Sequence, residues 1–382
     1  MQTNKNCLFD FKFVFIYFRF ALGVSAALLN PLTSIMIGEI ASPHFRGTLN
    51  SLYRVAWVSG LIFESLASVI FESYTALANG GTILSLLFFP SISWLIESPY
   101  YLMQEGKYEW AERNIKELHP EYLQYDIDKE ITDIKECVDV NKNESNEYFS
   151  LIIFKKRYIR KLLMCAILLN MFSMASGGSS IALYLTDILP KNKYLSNNYY
   201  PLIGCIVQLI PSLISPLLID RLPRRFLFMS AGIFSFLLQS FNAVIYFCYI
   251  FYKKSDFLMW IFIAGNFVYL GLNGGFMVSL YNTIKSEILP YQFRGIGNGL
   301  CTSIQALSTV GFYQIFNVTN NFFGLYVNYI IFSVNSLILV WVVYVFLPET
   351  EGKTLAEIQK GFCENEQRKE KINKPNIVFS NE

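Results

Sequence analysis

The chain has 382 residues, of which 53% are hydrophobic and 16% are charged, and its formal net charge is +2. Soluble domains carry about 25% charged residues, so this composition excludes an ordinary soluble protein, and no basic aromatic patch indicates nucleic-acid binding. The seven cysteines include no CxxC pair and only two histidines occur, so no metal site, cofactor or disulfide framework is predicted.

Apolar runs long enough to cross a bilayer follow one another along the chain. A spanning helix needs about 20 mostly apolar residues, and it satisfies its own backbone groups in lipid. The fold class predicted from these runs is an all-α membrane protein. The predicted spans are residues 13–38, 49–71, 76–96, 161–187, 200–219, 226–252, 257–284, 296–317 and 323–347.

A long polar segment separates the first three spans from the other six. It runs from Glu97 to Lys161, is rich in Glu, Asp, Lys and Asn, and contains no span of its own. Its pattern is helical between Tyr108 and Leu118. We expect a linker between two halves, lying on one side of the membrane.

One charged motif occurs in both halves, each time between two apolar runs. Glu39-Ile-Ala-Ser-Pro-His-Phe-Arg46-Gly47 reappears as Glu287-Ile-Leu-Pro-Tyr-Gln-Phe-Arg294-Gly295, with the acid seven residues before the arginine in both copies. A motif repeated at the same place in two hydrophobic halves indicates a duplicated membrane protein. Such proteins are mostly transporters.

The position of the repeat predicts the number of spans. Four spans lie between the linker and Glu287, whereas one lies before Glu39. A complete duplication would therefore have three more spans at the N-terminus, and this chain is expected to hold about nine of twelve helices in two bundles. The expected divisions are 1–96 for a truncated N-terminal bundle, 97–160 for a cytosolic linker, 161–348 for a C-terminal six-helix bundle and 349–382 for a cytosolic tail.

Lysine and arginine near the ends of the spans predict the orientation. They collect at Arg46, 155–161, 221–225 and Arg294, and this side is expected to face the cytosol together with the linker and the C-terminus. Asn317, in the sequence Asn-Val-Thr, is then a glycosylation candidate at the outer face.

Five short blocks in a fixed order cover nearly the whole chain. They are Arg19 followed by glycine and small residues, the Glu39 motif, Glu97-Ser-Pro-Tyr-Tyr-Leu-Met-Gln-Glu-Gly-Lys107, Asp220-Arg-Leu-Pro-Arg-Arg225, and Leu347-Pro-Glu-Thr-Glu-Gly-Lys-Thr-Leu-Ala-Glu-Ile358. By these blocks the chain resembles the sugar porter family of the major facilitator superfamily. The resemblance implies the major facilitator fold, in which two helical bundles rock about a central solute site.

The resemblance also implies a gate on the cytosolic side, where acids and arginines form ion pairs that tie the two halves together. The alternative is that these charges are solvated loop charges that follow the positive-inside rule. An isolated exposed pair would contribute only about 0–1 kcal/mol, whereas a network at a closed interface biases an equilibrium more strongly. The implied gate residues are Glu39, Arg46, Glu97, Asp220, Arg224, Arg225, Glu287, Arg294 and Glu349.

The solute site implied by the resemblance consists mainly of neutral polar side chains, because hydroxyl groups pair with neutral donors and acceptors. Ser180 corresponds to an asparagine of the family's seventh helix, Gln208 to an amide of the eighth and Gln305 to an asparagine of the eleventh. Asn282 stands where the tenth helix has a tryptophan, and Arg54 stands where the fifth has a glutamine.

Three features near this site have their own interpretations. Arg54 is either a cation in the central cleft that attracts an anionic or strongly polar solute, or a side chain that snorkels to the cytosolic surface. Lys285 is expected to snorkel at the same end of its helix. The pair Gly274-Gly275 is the hinge candidate of the tenth helix, against the alternative of close helix packing.

The leading hypothesis is a facilitative transporter of a sugar or another small polar solute, multi-pass in the plasma membrane, that works by alternating access. An enzyme is not predicted, because no nucleophile with a neighbouring base and no phosphate loop occurs. The alternatives are a non-transporting pseudotransporter or sensor, an incomplete product, and a transporter of small organic ions. The expected partners are the solute and the lipid bilayer, and the oligomeric state is left open.

Overall fold

A computed structural model describes residues 3–41, 46–71, 74–118, 120, 124–125, 127–128, 131–132, 134–135, 157–189, 199–219, 221–252, 255–289 and 294–347. Every regular element in these ranges is a helix, so the predicted all-α class is confirmed. Seven helical stretches there are long and apolar enough to cross a membrane. They are Ile16–Ile40, Gly47–Ile70, Arg160–Leu183, Tyr199–Ile219, Arg224–Phe251, Asp256–Lys285 and Leu325–Phe346.

Three helices precede the linker, and each coincides with a predicted span. They are α1 (Thr3–Ile40), α2 (Arg46–Ile70) and α3 (Tyr74–Ile92). The side chains from 16 to 29 in α1 and from 81 to 92 in α3 are all exposed. Most of them are apolar, which suits a surface in contact with hydrocarbon rather than with water.

In the described part of the linker, two short helices share a small core with helical residues between 124 and 135. These helices are α4 (Pro99–Gln104) and α5 (Tyr108–Leu118), so the helical pattern predicted between Tyr108 and Leu118 is confirmed. Gly106 joins them with φ +77°, a left-handed conformation that favours glycine. The buried side chains of this unit are Leu102, Met103, Ala111, Ile115, Ile127 and Ile134.

The helices after the linker form the larger packed unit. The predicted spans again coincide with helical stretches, but 161–187 is divided into three helices and 257–284 passes through a π-helical segment. The elements are α6 (Arg157–Ala175), α7 (Gly178–Leu183), α8 (Leu185–Ile188), α9 (Tyr199–Ile219), α10 (Arg224–Phe251), α11 (Asp256–Leu270), the π-helical segment (Gly271–Met277), α12 (Val278–Ile288), α13 (Arg294–Phe323) and α14 (Leu325–Phe346).

Two of the nine predicted spans are not among the seven stretches that are both long and apolar enough to cross a membrane. The apolar part of α3 is short, at Gly80–Ile92. Helix α13 is 30 residues long, but its sequence includes several Asn, Gln, Ser and Thr side chains that lower its hydropathy. Both helices nevertheless occupy the positions that the apolar runs predicted.

The larger unit has two apolar cores. One lies between α6, α10, α12 and α14, and the other lies around the tyrosines and phenylalanines of α11 and α14. Large buried side chains include Phe228, Leu280, Tyr281, Ile284 and Leu339 in the first core and Tyr200, Phe262, Tyr269, Tyr329 and Phe332 in the second.

The helices before the linker, which form the first group, contact the helices after it, which form the second group, in two places. Helix α2 packs against α9, α12 and the π-helical segment, while α1 packs mainly against α13. The first contact places residues from before the linker directly beside the irregular part of the larger unit. The division of the chain at 1–96, 97–160, 161–348 and 349–382 stays a prediction.

Candidate functional site

The π-helical segment lies against α9 at unusually close range, and two glycines make this possible. A side chain on Gly274 would overlap the amide of Gln208. A Cβ on Gly275 would lie 2.6 Å from the Gln208 carbonyl oxygen and 2.9 Å from the Ser212 nitrogen. Both glycines therefore serve close packing, as small residues commonly do between membrane helices. Their role as a hinge stays a prediction.

Arg54 reaches from α2 to this contact. Its Nε donates to the Gly274 carbonyl at 2.6 Å, and an Nη donates to Oε1 of Gln208 at 3.3 Å. The side chain is partly buried and turns towards the larger unit. Two of the five predicted solute-site residues, Arg54 and Gln208, are therefore in direct contact, and the choice between a cation in the cleft and a snorkelling side chain stays a prediction.

A second polar group surrounds the break between α6 and α7. The hydroxyl of Tyr269 donates to the Ser176 carbonyl at 2.6 Å, and Nε2 of Gln239 approaches the same carbonyl at 3.4 Å. The Asn273 amide donates to Oγ of Ser176 at 3.1 Å. We call Ser176, Gln239, Tyr269 and Asn273 the break network. Tyr269 and Gln239 satisfy a buried carbonyl that the interrupted helix leaves free, and Asn273 bonds to the hydroxyl of the same serine.

The break itself depends on Gly177. This residue has φ +90°, which an L-residue with a side chain adopts only with strain. A Cβ at this position would also overlap the ring of Phe332. The sequence did not predict the break network, although the doublet Gly177-Gly178 and the polar Asn273 inside an apolar run were visible signals.

The other predicted solute-site residues lie in the same unit but make separate contacts. Ser180 is buried in α7, and Asn282 is buried in α12. Nε2 of Gln305 in α13 lies 3.8 Å from the sulfur of Met174. The described contacts do not join these three to the pair formed by Arg54 and Gln208, so their part in a common site stays a prediction.

Lys285 is not at the surface. Its side chain is 2% exposed, and its Nζ lies 5.5 Å from the centre of the Tyr281 ring. The expectation that Lys285 snorkels is therefore wrong. A cation over an aromatic ring is attracted by the negative face of the π system, which offsets part of the cost of burying the ammonium.

The predicted cytosolic gate is only partly described. Arg224 is buried at the start of α10, and Arg225 beside it donates to the Tyr344 carbonyl and lies 5.2 Å from the ring centre of that tyrosine. Glu39 is partly buried, and the carbonyl of Glu97 accepts from the Asn114 amide at 3.0 Å. Asp220 and Glu349, and the side chains of Arg46, Glu287 and Arg294, lie outside the described residues. The gate stays a prediction.

The linker carries the ion pairs Lys107–Glu105 at 3.9 Å and Lys116–Glu112 at 2.6 Å. The hydrogen bond from Lys116 holds the pKa of the Glu112 carboxyl below its usual value. Within the described ranges, no three His, Cys, Asp or Glu side chains are grouped so that they could hold a metal ion.

The glycosylation candidate Asn317 lies inside α13. Its Nδ2 donates to the Tyr184 hydroxyl at 2.7 Å, and the side chain is partly buried. A glycan on this nitrogen would have to break that hydrogen bond. The modification stays a prediction.

Known proteins with a similar sequence are transporters by name. The family model described as "Sugar (and other) transporter" matches residues 8–362. "Sugar transporter ERD6-like 7" from Arabidopsis thaliana is 24% identical over 342 residues, which cover 89% of this chain and 72% of that protein. "Facilitated trehalose transporter Tret1-2 homolog" from Drosophila sechellia is 24% identical over 344 residues, which cover 90% of this chain and 70% of that protein.

A solved structure has the same fold. It is the major facilitator superfamily proton:xylose symporter XylE bound to 6-bromo-6-deoxy-D-glucose, with a TM-score of 0.72 and 19% sequence identity. The match covers 87% of this chain and 70% of that one. The helices described above therefore have the arrangement of a major facilitator protein.

Proposed function

The chain belongs to the sugar (and other) transporter family, and we propose that it carries a sugar across the membrane as a facilitator, by alternating access. The resemblance that the five motif blocks gave is confirmed, and so is the major facilitator fold. The protein is a multi-pass membrane transporter.

One observation carries the proposal for the site. Gln208 is a buried amide that lies where α2 of the first group of helices meets α9 and the π-helical segment of the second. An amide offers a neutral donor and a neutral acceptor, which is the pairing that sugar hydroxyls need in an apolar surrounding. The names of the relatives, a trehalose facilitator and a xylose symporter, agree with a sugar as the solute.

Further details of the proposal follow the family pattern. Ser180, Asn282 and Gln305 would complete the polar lining from α7, α12 and α13. The nine charged gate residues that were listed above, the first being Glu39 and the last Glu349, would close the solute site on the cytosolic side. We place the protein in the plasma membrane with its C-terminus in the cytosol.

Uptake into proteoliposomes tests this function. The purified full chain is reconstituted, and uptake of radiolabelled glucose, xylose and trehalose is measured against empty vesicles. We expect saturable uptake of at least one sugar, and about tenfold slower uptake at low concentration for Gln208→Ala because a hydrogen bond to the solute is lost.

Ser59→Ala is the matched control, because Ser59 is exposed on α2 and its hydroxyl donates to the Val55 carbonyl of its own helix. The control should take up sugar like the unmodified protein. Saturable uptake of none of the three sugars would contradict the proposed function, and binding of a sugar without uptake would favour the sensor alternative.

A further inference from the structure

We infer that Arg54 is a positioning residue, which ties the first group of helices to the π-helical segment and orients the Gln208 amide. The consequences for transport rest on the proposed function. The tie, meaning the contact of Arg54 with the π-helical segment and Gln208, does not depend on transport. The tie joins α2, which lies before the linker, to the π-helical segment and α9, which lie after the linker.

The two hydrogen bonds of Arg54 have different effects. The bond from Nε to the Gly274 carbonyl fixes the backbone of the π-helical segment to α2. The bond from Nη to Oε1 of Gln208 occupies the acceptor side of that amide. The donor side of Gln208 is then left for a solute, so Arg54 determines which group of the amide meets a sugar hydroxyl.

The π-helical segment is held from two sides by neighbouring residues. Asn273 bonds to Ser176 in the break network, and Gly274 bonds to Arg54. The first contact stays within the larger unit, whereas the second crosses to the other group of helices. Because π-helical segments frequently mark functional sites, a segment clamped in this way is suited to transmit a change at one contact to the other.

The charge of Arg54 is balanced by neutral acceptors. Among the described side chains, no acid forms an ion pair with it, and its bonded acceptors are a backbone carbonyl and an amide. A charge in a spanning segment is costly and usually has a function. Here the fork of guanidinium donors reaches two acceptors at once, which lysine, with a compact ammonium, cannot reproduce in the same geometry.

Hydrogen–deuterium exchange tests the tie without any solute. The full chain is placed in lipid nanodiscs, and exchange of peptides that cover Gly271–Met277 is compared between the unmodified protein, Arg54→Gln, Arg54→Lys and Ser59→Ala. Loss of charge-assisted bonds should make exchange of this segment about tenfold faster in Arg54→Gln. Arg54→Lys should give a smaller increase, and Ser59→Ala should give none.

Peptides from α14 serve as the internal reference, since this helix does not contact Arg54. Exchange of the π-helical segment that is unchanged in Arg54→Gln would overturn the inference. An equal acceleration in α14 would also overturn it, because that result would indicate general loosening of the fold.

Uptake measurements then separate positioning from direct solute binding. With a sugar that the unmodified protein carries, Arg54→Gln should raise the sugar concentration that gives half-maximal uptake and should change the maximal uptake rate. Arg54→Lys should recover part of both effects. A different result would identify Arg54 as a ligand for an anion. In that case the unmodified protein takes up a sugar acid such as glucuronate, and Arg54→Gln abolishes this uptake while hydrogen–deuterium exchange of the π-helical segment stays unchanged. The inference then fails. If no sugar is carried, the proposed function fails while the exchange result still decides the tie.

Discussion

At the scale of single residues, small side chains decide how closely the helices approach. Gly274 and Gly275 bring the π-helical segment onto α9, and Gly177 supplies both the left-handed turn and the space for Phe332. A substitution is more costly at Gly177, because a side chain there would cause backbone strain and would also overlap an aromatic ring. Gly177 is therefore the position where the smallest change should have a large effect.

We predict that Gly177→Ala lowers the free energy of unfolding by about 2–4 kcal/mol, since the left-handed conformation and the overlap with Phe332 both cost energy. Unfolding by SDS in mixed micelles measures the change. Gly311→Ala is the control, because Gly311 is exposed in α13 and a Cβ there meets no atom within 4 Å. Equal stability of the two variants would contradict this account of the break.

At the scale of helices, the interruptions in α6–α7 and after α11 are joined to each other. The break network connects Ser176 at the first interruption with Asn273 in the π-helical segment, through Tyr269 on the preceding turn of α11. Membrane helices tolerate such interruptions where neighbouring side chains satisfy the freed backbone groups. The two irregular elements thus depend on one set of buried hydrogen bonds.

We predict that Tyr269→Phe destabilises the protein by about 1–2 kcal/mol, because the Ser176 carbonyl loses its shortest hydrogen bond. The same SDS unfolding assay applies. Tyr252→Phe is the matched control, since Tyr252 is an exposed tyrosine just after α10. The role assigned to Tyr269 would be refuted if removing its hydroxyl had no larger effect than removing that of Tyr252.

At the scale of the whole molecule, the two groups of helices meet through α2 and α1. The larger unit has its own cores, whereas α1 and α3 present long apolar faces at the surface. In a bilayer such faces are compatible with hydrocarbon. The repeated acid–arginine motif predicts that corresponding loops of the two halves lie at the same membrane face.

This arrangement predicts the accessibility of two loop residues. In a background without cysteines, Phe45→Cys and Phe293→Cys should react with an impermeant maleimide from the same side of the membrane, and Lys191→Cys should react from the other side, as the distribution of lysine and arginine indicates. Labelling in right-side-out and inverted vesicles measures this. Reaction of positions 45 and 293 from opposite sides would contradict the duplicated arrangement.

Much of the fold could be predicted because apolar length is a local property. All nine predicted spans coincide with helical stretches, and the linker helix at Tyr108–Leu118 has the predicted bounds. The interruptions inside two spans were not predicted, since counting apolar residues does not distinguish a continuous helix from a broken one. The burial of Lys285 was not predicted either, because it depends on the Tyr281 ring and on neighbouring helices.

The sequence by itself determined the membrane class, the helical spans and, through the five motif blocks, the family, whereas the division by a polar linker stays a prediction. These follow from composition and from short motifs, which do not require knowledge of neighbours in space. The tertiary structure decided the direction of the Arg54 side chain and its hydrogen bond to Gln208. It also decided the contact between Ser176 and Asn273. Such contacts join residues far apart in the chain, so they depend on how the helices pack against one another.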